Sequence, residues 1–204
     1  MLATDGAVNE RSSEGESSGR HDSETARRLK SDLSETLRLL EDADLQKGAN
    51  RLLNCRGALI VGVASSAPLV LSLAWKLSRI GIDARPSTEG YVMAVNATLL
   101  TDADVLVAIS SSGATKDILH TTDVAKQQGA TVIALTNFSS SPLSQIADIS
   151  LFTTANRDPV KAEIPAIIAG EAVLEMLLEK LLTIAPDRRD HLLQSSRAVS
   201  DRKL

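Results

Sequence analysis

The sequence predicts an α/β fold: a parallel β-sheet covered by helices on both faces. Two observations carry this. Five short apolar segments of strand type, starting at Ala58, Ile82, Val105, Thr131 and Ile149, alternate with segments of helical character, and such alternation builds a parallel sheet with right-handed crossovers. Apolar residues make up 43% of the 204, yet aromatics only 2%. The core is therefore Val, Ile, Leu and Ala, the composition of strands buried on both faces.

Residues 1–22 are rich in Ser, Gly and Glu and hold few large apolar groups. Burial there cannot offset the entropy of ordering, so a disordered tail is expected. From Ser23, Ala26, Leu29, Leu33, Leu37 and Leu40 fall at spacings of three and four, one apolar stripe of a helix that Asp22 or Ser23 can cap. A second helix opens at Asp42 or Asp44 with Leu45, Ala49, Leu52 and Leu53 inward. These two helices, residues 23–54, can pack on the main domain or on a second subunit.

The main domain spans residues 55–185. Ala58–Val63 reads as a buried strand, Ala64–Pro68 as a loop, and Leu69–Ile80 as a helix stopped by Gly81. Ile82–Arg85 is a short second strand, Thr88–Gly90 a loop and Tyr91–Leu100 a helix. Val105–Ile109 is the third strand. It empties into Ser110–Thr115, and a helix follows from Lys116 to Gln128, stopped by Gly129. Thr131–Thr136 is the fourth strand, Asn137–Pro142 a Ser-rich loop before a short helix to Ala147, and Ile149–Thr153 the fifth strand. A polar connection, Thr154–Lys161, leads to a long helix from Glu163 to Leu182. Residues 186–204 form a polar C-terminal tail with room for one more helix.

Composition narrows the function. The net charge is −4, from 22 basic and 26 acidic residues, with no basic patch and few aromatics to stack on bases, which argues against nucleic-acid binding by this chain. The lone Cys55 cannot form an internal disulfide, consistent with a reducing compartment. No signal peptide and no membrane-length apolar run are visible, so a soluble, cytoplasmic protein without membrane contact is expected. No metal-ligand spacing is seen, and no cofactor is expected.

In parallel sheets ligands bind at the carboxyl ends of the strands. That edge collects the loops 64–68, 87–90, 110–115 and 137–142, three of them unusually rich in serine. A strand that ends in small polar residues and then starts a helix is an anion site: the first helical N–H groups lack partners, the dipole adds partial positive charge, and hydroxyls add neutral donors. Serines also cap helices wherever they occur. The repetition of the pattern over several loops favours binding of a phosphorylated ligand.

From Ala58 to about Leu182 the chain resembles the sugar isomerase (SIS) domain family. Ser110, Ser112, Gly113 and Thr115 match that family's S-x-S-G-x-T signature in full, and Gly62 with Ser65 and Ser66 resembles its G-x-G-x-S pattern, with Ala64 where a glycine is usual. The run Gly129–Thr136, Ser141-Pro142-Leu143 and Ala147-Asp148 is also similar to the family. The resemblance implies a three-layer αβα sandwich on a five-stranded parallel sheet. It also implies a phosphosugar held by Ser65, Ser66, Ser110, Ser112 and Thr115, with Ser111 and Gly113 in the same loop, and assembly as a homodimer or homotetramer.

Within the family the chain looks most like the sugar-phosphate-sensing half of RpiR-type transcription regulators. Those carry an N-terminal helix-turn-helix domain, whereas about 22 residues precede the first helix here, too few for three DNA-binding helices. The resemblance therefore implies effector sensing without DNA binding by this polypeptide, including the possibility of a truncated regulator that pairs with full-length relatives.

The alternative is a phosphosugar aldose–ketose isomerase, which needs a general base beside C2 of the open-chain sugar. Glu163 is the candidate, its Glu163-Ile164 resembling a segment of the family's synthase branch. A plain first-turn carboxylate favoured by the helix dipole fits Glu163 equally well. Glu89 is a second carboxylate near the edge, with a surface position the readier expectation. Lys116 either pairs with phosphate or is solvated, and His21, His120 and His191 are expected on the surface.

Overall fold

A computed structural model describes residues 23–154 and 163–200 of the chain. The expected tail of residues 1–22 and most of the connection after Thr154 lie outside the described residues. Five parallel strands, β1 (Ala58–Val61), β2 (Ala84–Ser87), β3 (Val105–Ile109), β4 (Thr131–Thr136) and β5 (Ile149–Phe152), form one sheet in the order β2-β1-β3-β4-β5. The helices are α1 (Glu24–Leu39), α2 (Asp42–Leu53), α3 (Ala67–Arg79), α4 (Gly90–Ala97), α5 (Lys116–Gln127), α6 (Pro142–Ile146), α7 (Glu163–Ile184) and α8 (Arg188–Ser200).

The central strands are apolar throughout because both faces are covered. Ile60, Val107, Ile109, Ile133 and Leu135 point to one core, shared with α2, α3 and α7. Leu59, Leu106, Ala108, Val132 and Ala134 point to the other, shared with Met93 and Ala97 of α4, Ile118 and Ala125 of α5 and Leu143 of α6. The second core is rich in alanine. Small side chains let helices approach the sheet closely, so dense packing is reached without aromatic rings.

One strand sits two residues later than its sequence pattern suggests. The segment Ile82–Arg85 is apolar enough for a strand, but its start is consumed in closing α3. Gly81 adopts φ +77°, and the N–H groups of Gly81 and Ile82 return to the carbonyls of Ser78 and Leu77 at 3.1 and 3.0 Å, a left-handed helix stop. Pairing begins only at Ala84 and runs through Pro86. A proline cannot donate to a ladder and is tolerated because β2 is an edge strand.

The N-terminal helices pack on this same domain. Ser23 Oγ caps α1 by accepting from Ala26 N at 3.1 Å. The buried Thr36 joins α1 to the end of β5: Thr154 N donates to Thr36 Oγ1 at 3.0 Å, and Thr154 Oγ1 donates to Asp32 O at 2.7 Å. At the other terminus, α8 lies against the end of α3. Arg188 donates to the carbonyls of Ile80 and Gly81 at 2.9 and 3.2 Å, and Arg79 donates to Ser195 and Ser196 at 3.1 and 2.7 Å.

At the amino edge of the sheet the fully buried Asp104 ties two connections together. Its carboxylate accepts from Arg56 Nε at 3.0 Å and from Thr101 N and Oγ1 at 2.8 and 2.9 Å. Burial pushes this carboxyl up, but the hydrogen bonds from Arg56 and Thr101 outweigh it and hold the group below the usual carboxylate range. A depressed folded pKa contributes stability above the unfolded value, about 3.9, and that contribution is lost as the pH falls through the folded value. Asp104→Asn is expected to cost about 1–3 kcal/mol at neutral pH in urea unfolding. It should also flatten part of the wild-type loss of stability below about pH 4.

Candidate functional site

The strand order places the two serine loops side by side. The chain runs from β1 outward to β2, then crosses back to β3 on the other side of β1. This reversal is the switch point at which open α/β sheets leave a crevice. Val61 stands opposite Ala108 in the β1–β3 register, so the loops after both strands leave the same edge together. Between them lies a pocket of about 290 Å³ lined by Val63, Ala64, Ser65, Ser66, Ile109, Ser110, Ser111, Ser112 and Thr115. Ser65, Ser66, Ser110, Ser111, Ser112 and Thr115, drawn from two distant stretches of sequence, thus surround one cavity.

The first loop needs two special backbone positions. A Cβ on Gly62 would sit 2.8 Å from Val70 Cγ2 and 2.9 Å from Ile109 O, so only glycine lets the two strand ends close up. Ala64 adopts φ +51°, the left-handed region that costs an L-residue about 1–2 kcal/mol. This is the position where the G-x-G-x-S pattern has its second glycine, and the torsion explains the preference. Ser66 then starts α3 without a side-chain cap, and proline occupies the first turn.

In the second loop Ser110 is buried, and its Oγ accepts from Gly113 N at 3.2 Å and lies 3.1 Å from Thr115 Oγ1. Ser112 Oγ accepts from Ala114 N at 3.2 Å. Thr115 occupies the N-cap of α5, yet its side chain makes no capping bond, being engaged with Ser110. Helices α1, α4 and α6 are all capped by a side chain. The two helices that begin at the pocket are not, and neither is α2 away from it; among the described residues the first-turn N–H groups of α5 have no side-chain acceptor. The partial positive charge of that helix end faces a site ringed by hydroxyls.

The third serine loop has a different task. Asn137 N donates to Ser111 O at 3.1 Å and Leu143 N donates to Gly113 O at 2.9 Å. Ser141 caps α6, its Oγ accepting from Ser144 N at 3.2 Å. This loop supports the Ser110–Thr115 turn from behind and does not line the pocket. Gly113 is where the two meet: its φ is +61°, and a Cβ there would collide with Ser141 Oγ and fall 2.8 Å from Thr136 Oγ1.

The carboxylate candidates separate. Glu89 caps α4, accepting from Tyr91 N at 3.3 Å and Val92 N at 2.9 Å. Glu163 heads α7, with its side chain outside those described. No titratable side chain lines the pocket among the described residues. Lys116, His120 and His191 are exposed, and His21 lies outside the described residues. Among the described residues no group of His, Cys, Asp and Glu is arranged to hold a metal ion, and no helix is long and apolar enough to cross a membrane. Burial, with the Asp104 charge, pushes the Cys55 thiol up, away from reactivity. Sequence reasoning missed the apolar walls Val63 and Ile109. Both follow from the pocket's place at the ends of buried strands.

A family model for the SIS domain matches residues 51–180. The chain belongs to the SIS domain family. It is 28% identical over 178 residues to an HTH-type transcriptional regulator of Clostridium perfringens, covering 81% of this chain and 63% of that one. It is 34% identical over 146 residues to another from Caldanaerobacter subterraneus, covering 71% and 52%. The chain thus spans between half and two thirds of the length of these relatives. Among solved structures it matches the Vibrio vulnificus NanR protein complexed with ManNAc-6P, with a TM-score of 0.84, 25% identity, and 88% of this chain and 68% of that one covered. The sugar isomerase domain of the RpiR transcription factor from Sphaerobacter thermophilus shares the fold, with a TM-score of 0.79, 21% identity and coverage of 85% and 96%.

In this SIS domain the glycine of S-x-S-G-x-T is a packing requirement as much as a torsional one. Gly113→Ala is expected to lose about 2 kcal/mol or more in chemical unfolding, from the left-handed torsion plus the collision with Ser141. Ala64→Gly relieves one strained torsion at the entropic cost of a glycine, so its change stays within about 1 kcal/mol. Equal losses for the two variants would contradict the role assigned to Gly113.

Proposed function

We propose that this SIS domain binds a phosphorylated sugar as a regulatory ligand, as the sensing domain of an RpiR-type regulator does. The observation that carries the reading is the uncapped start of α5 set against Ser110, Ser111, Ser112 and Thr115. The first-turn N–H groups and these hydroxyls are a seat for phosphate, and hydrogen bonds to a charged group contribute about 1.5–3 kcal/mol each. Ser65 and Ser66, across the pocket, face the sugar hydroxyls. The pocket volume of about 290 Å³ suits a single small ligand. The relation to NanR, whose structure holds ManNAc-6P, supports the same ligand class. The protein acts as a homodimer or homotetramer and leaves DNA contact to another polypeptide or segment.

The rival reading is a phosphosugar isomerase with Glu163 as general base. The described pocket walls offer hydroxyls, amides and apolar groups, which hold a ligand but do not exchange protons with carbon at neutral pH.

Phosphosugars present at about 100 times their dissociation constant should stabilise the fold by about 2.7 kcal/mol, read as a rise in Tm. A panel of phosphosugars that leaves the wild-type Tm unmoved would remove the basis for the reading. Ser112→Ala or Thr115→Ala should abolish the shift while leaving the unliganded Tm within a few degrees. An undiminished shift would place the phosphate elsewhere. In deuterated water no exchange of the C2 proton is expected, and exchange that disappears in Glu163→Gln would decide for the isomerase.

A further inference from the structure

The pocket wall formed by Ala64, Ser65 and Ser66 holds donors that a phosphate seated at α5 does not use. Ser66 is 5% exposed and lines the cavity, yet its hydroxyl makes no hydrogen bond among the described residues. Buried polar groups rarely go without a partner. The residue is fitted into the space that Gly62 leaves, since a Cβ on that glycine would stand 3.2 Å from Ser66 Cβ. Beside it the backbone reverses at Ala64, where φ is +51°. The N–H groups of Ala64 and Ser65 have no acceptor among the described residues, and consecutive N–H groups in such a turn form a concavity for an anion.

We propose that this wall receives a carboxylate, so that the ligand is a phosphorylated sugar acid with phosphate at one end and carboxylate at the other. Of the sugar oxygens facing Ser65 and Ser66, two then belong to the acid group. The inference rests on the pocket being a phosphosugar site, and it names what selects among such ligands.

Hydrogen-bond balance carries it. A sugar hydroxyl both donates and accepts, so a wall that meets only hydroxyls needs acceptors of its own. Here the adjacent carbonyls of Val63 and Ala64 are already engaged by Ser66 N and Ala67 N. What remains toward the cavity is a surplus of donors. An ionised carboxylate only accepts, and hydrogen bonds to it are stronger than those to a neutral oxygen. Charge separates it from a second phosphate. No titratable side chain lines the pocket among the described residues, and a second phosphate would add about two negative charges where a carboxylate adds one.

Matched open-chain pairs isolate the acid group. Titration calorimetry compares 6-phosphogluconate with glucitol 6-phosphate, and ribonate 5-phosphate with ribitol 5-phosphate, each pair differing only at C1. In at least one pair the acid should bind tighter by about tenfold or more. Ser66→Ala has no protein hydrogen bond to lose, so it should keep wild-type circular dichroism while bringing the acid to within about twofold of its alditol. Ser65→Ala, at a less buried position, should reduce the preference in the same sense, whereas Ser112→Ala should weaken both members of a pair alike. The carboxylate seat is overturned, with the phosphosugar reading left standing, by alditol phosphates that bind as tightly as their acids, by an aldose phosphate that binds where neither acid does, or by a preference that survives both serine variants. No binding by these pairs or by any phosphosugar removes both.

Discussion

The pocket exists because a turn at Gly113 is locked from below. Its N–H is held by Ser110, its carbonyl by Leu143 N, and its missing Cβ is the space taken by Ser141. With Asn137 N on Ser111 O, strand β4 and helix α6 hold the loop after β3 in one shape. The hydroxyls of Ser110 and Thr115 therefore stand 3.1 Å apart before any ligand arrives. Ordering is completed at folding, so a ligand need not supply that entropy on binding.

The same arrangement has a cost to stability. A side-chain cap contributes about 1 kcal/mol to a helix, and both helices that begin at the pocket do without one. Ala64 adds a strained torsion at the same edge. Proteins commonly sacrifice stability of this kind where a site must offer unpaired groups. The buried sheet beneath, filled with Ile, Leu and Val on one face and fitted with alanines on the other, is what sustains it.

Most of the architecture was legible because buried parallel strands are written as continuous apolar runs and their helices as periodic ones. β2 was displaced because Ile82 is apolar for a different reason: it closes the core beneath the stop of α3. The serines posed a harder problem. Ser110 and Ser112 beside the pocket, Ser141 capping α6 and Ser23 capping α1 are the same residue type in similar local settings. Only the order of strands in space separates the serines that line the pocket from those that brace the loop behind it. The capping role of Glu89 was equally hidden, since an acidic residue before a helix reads the same whether its carboxylate turns back to the backbone or outward. The docking of α1 through Thr36 and Thr154 depends on a contact between residues far apart in sequence, which periodicity does not record.

The contact of Gly113 with Ser141 and Thr136 also has a consequence for divergence. These three positions share one volume, so they cannot drift independently. A side chain gained at 113 would require lost atoms at 141, and those atoms are the cap of α6 and part of the support for the loop. The glycine, the serine and the threonine therefore constrain one another, although they lie on three different elements and only the glycine belongs to the recognised signature. A variant that gains a side chain at 113 keeps this turn only if that shared volume is freed elsewhere.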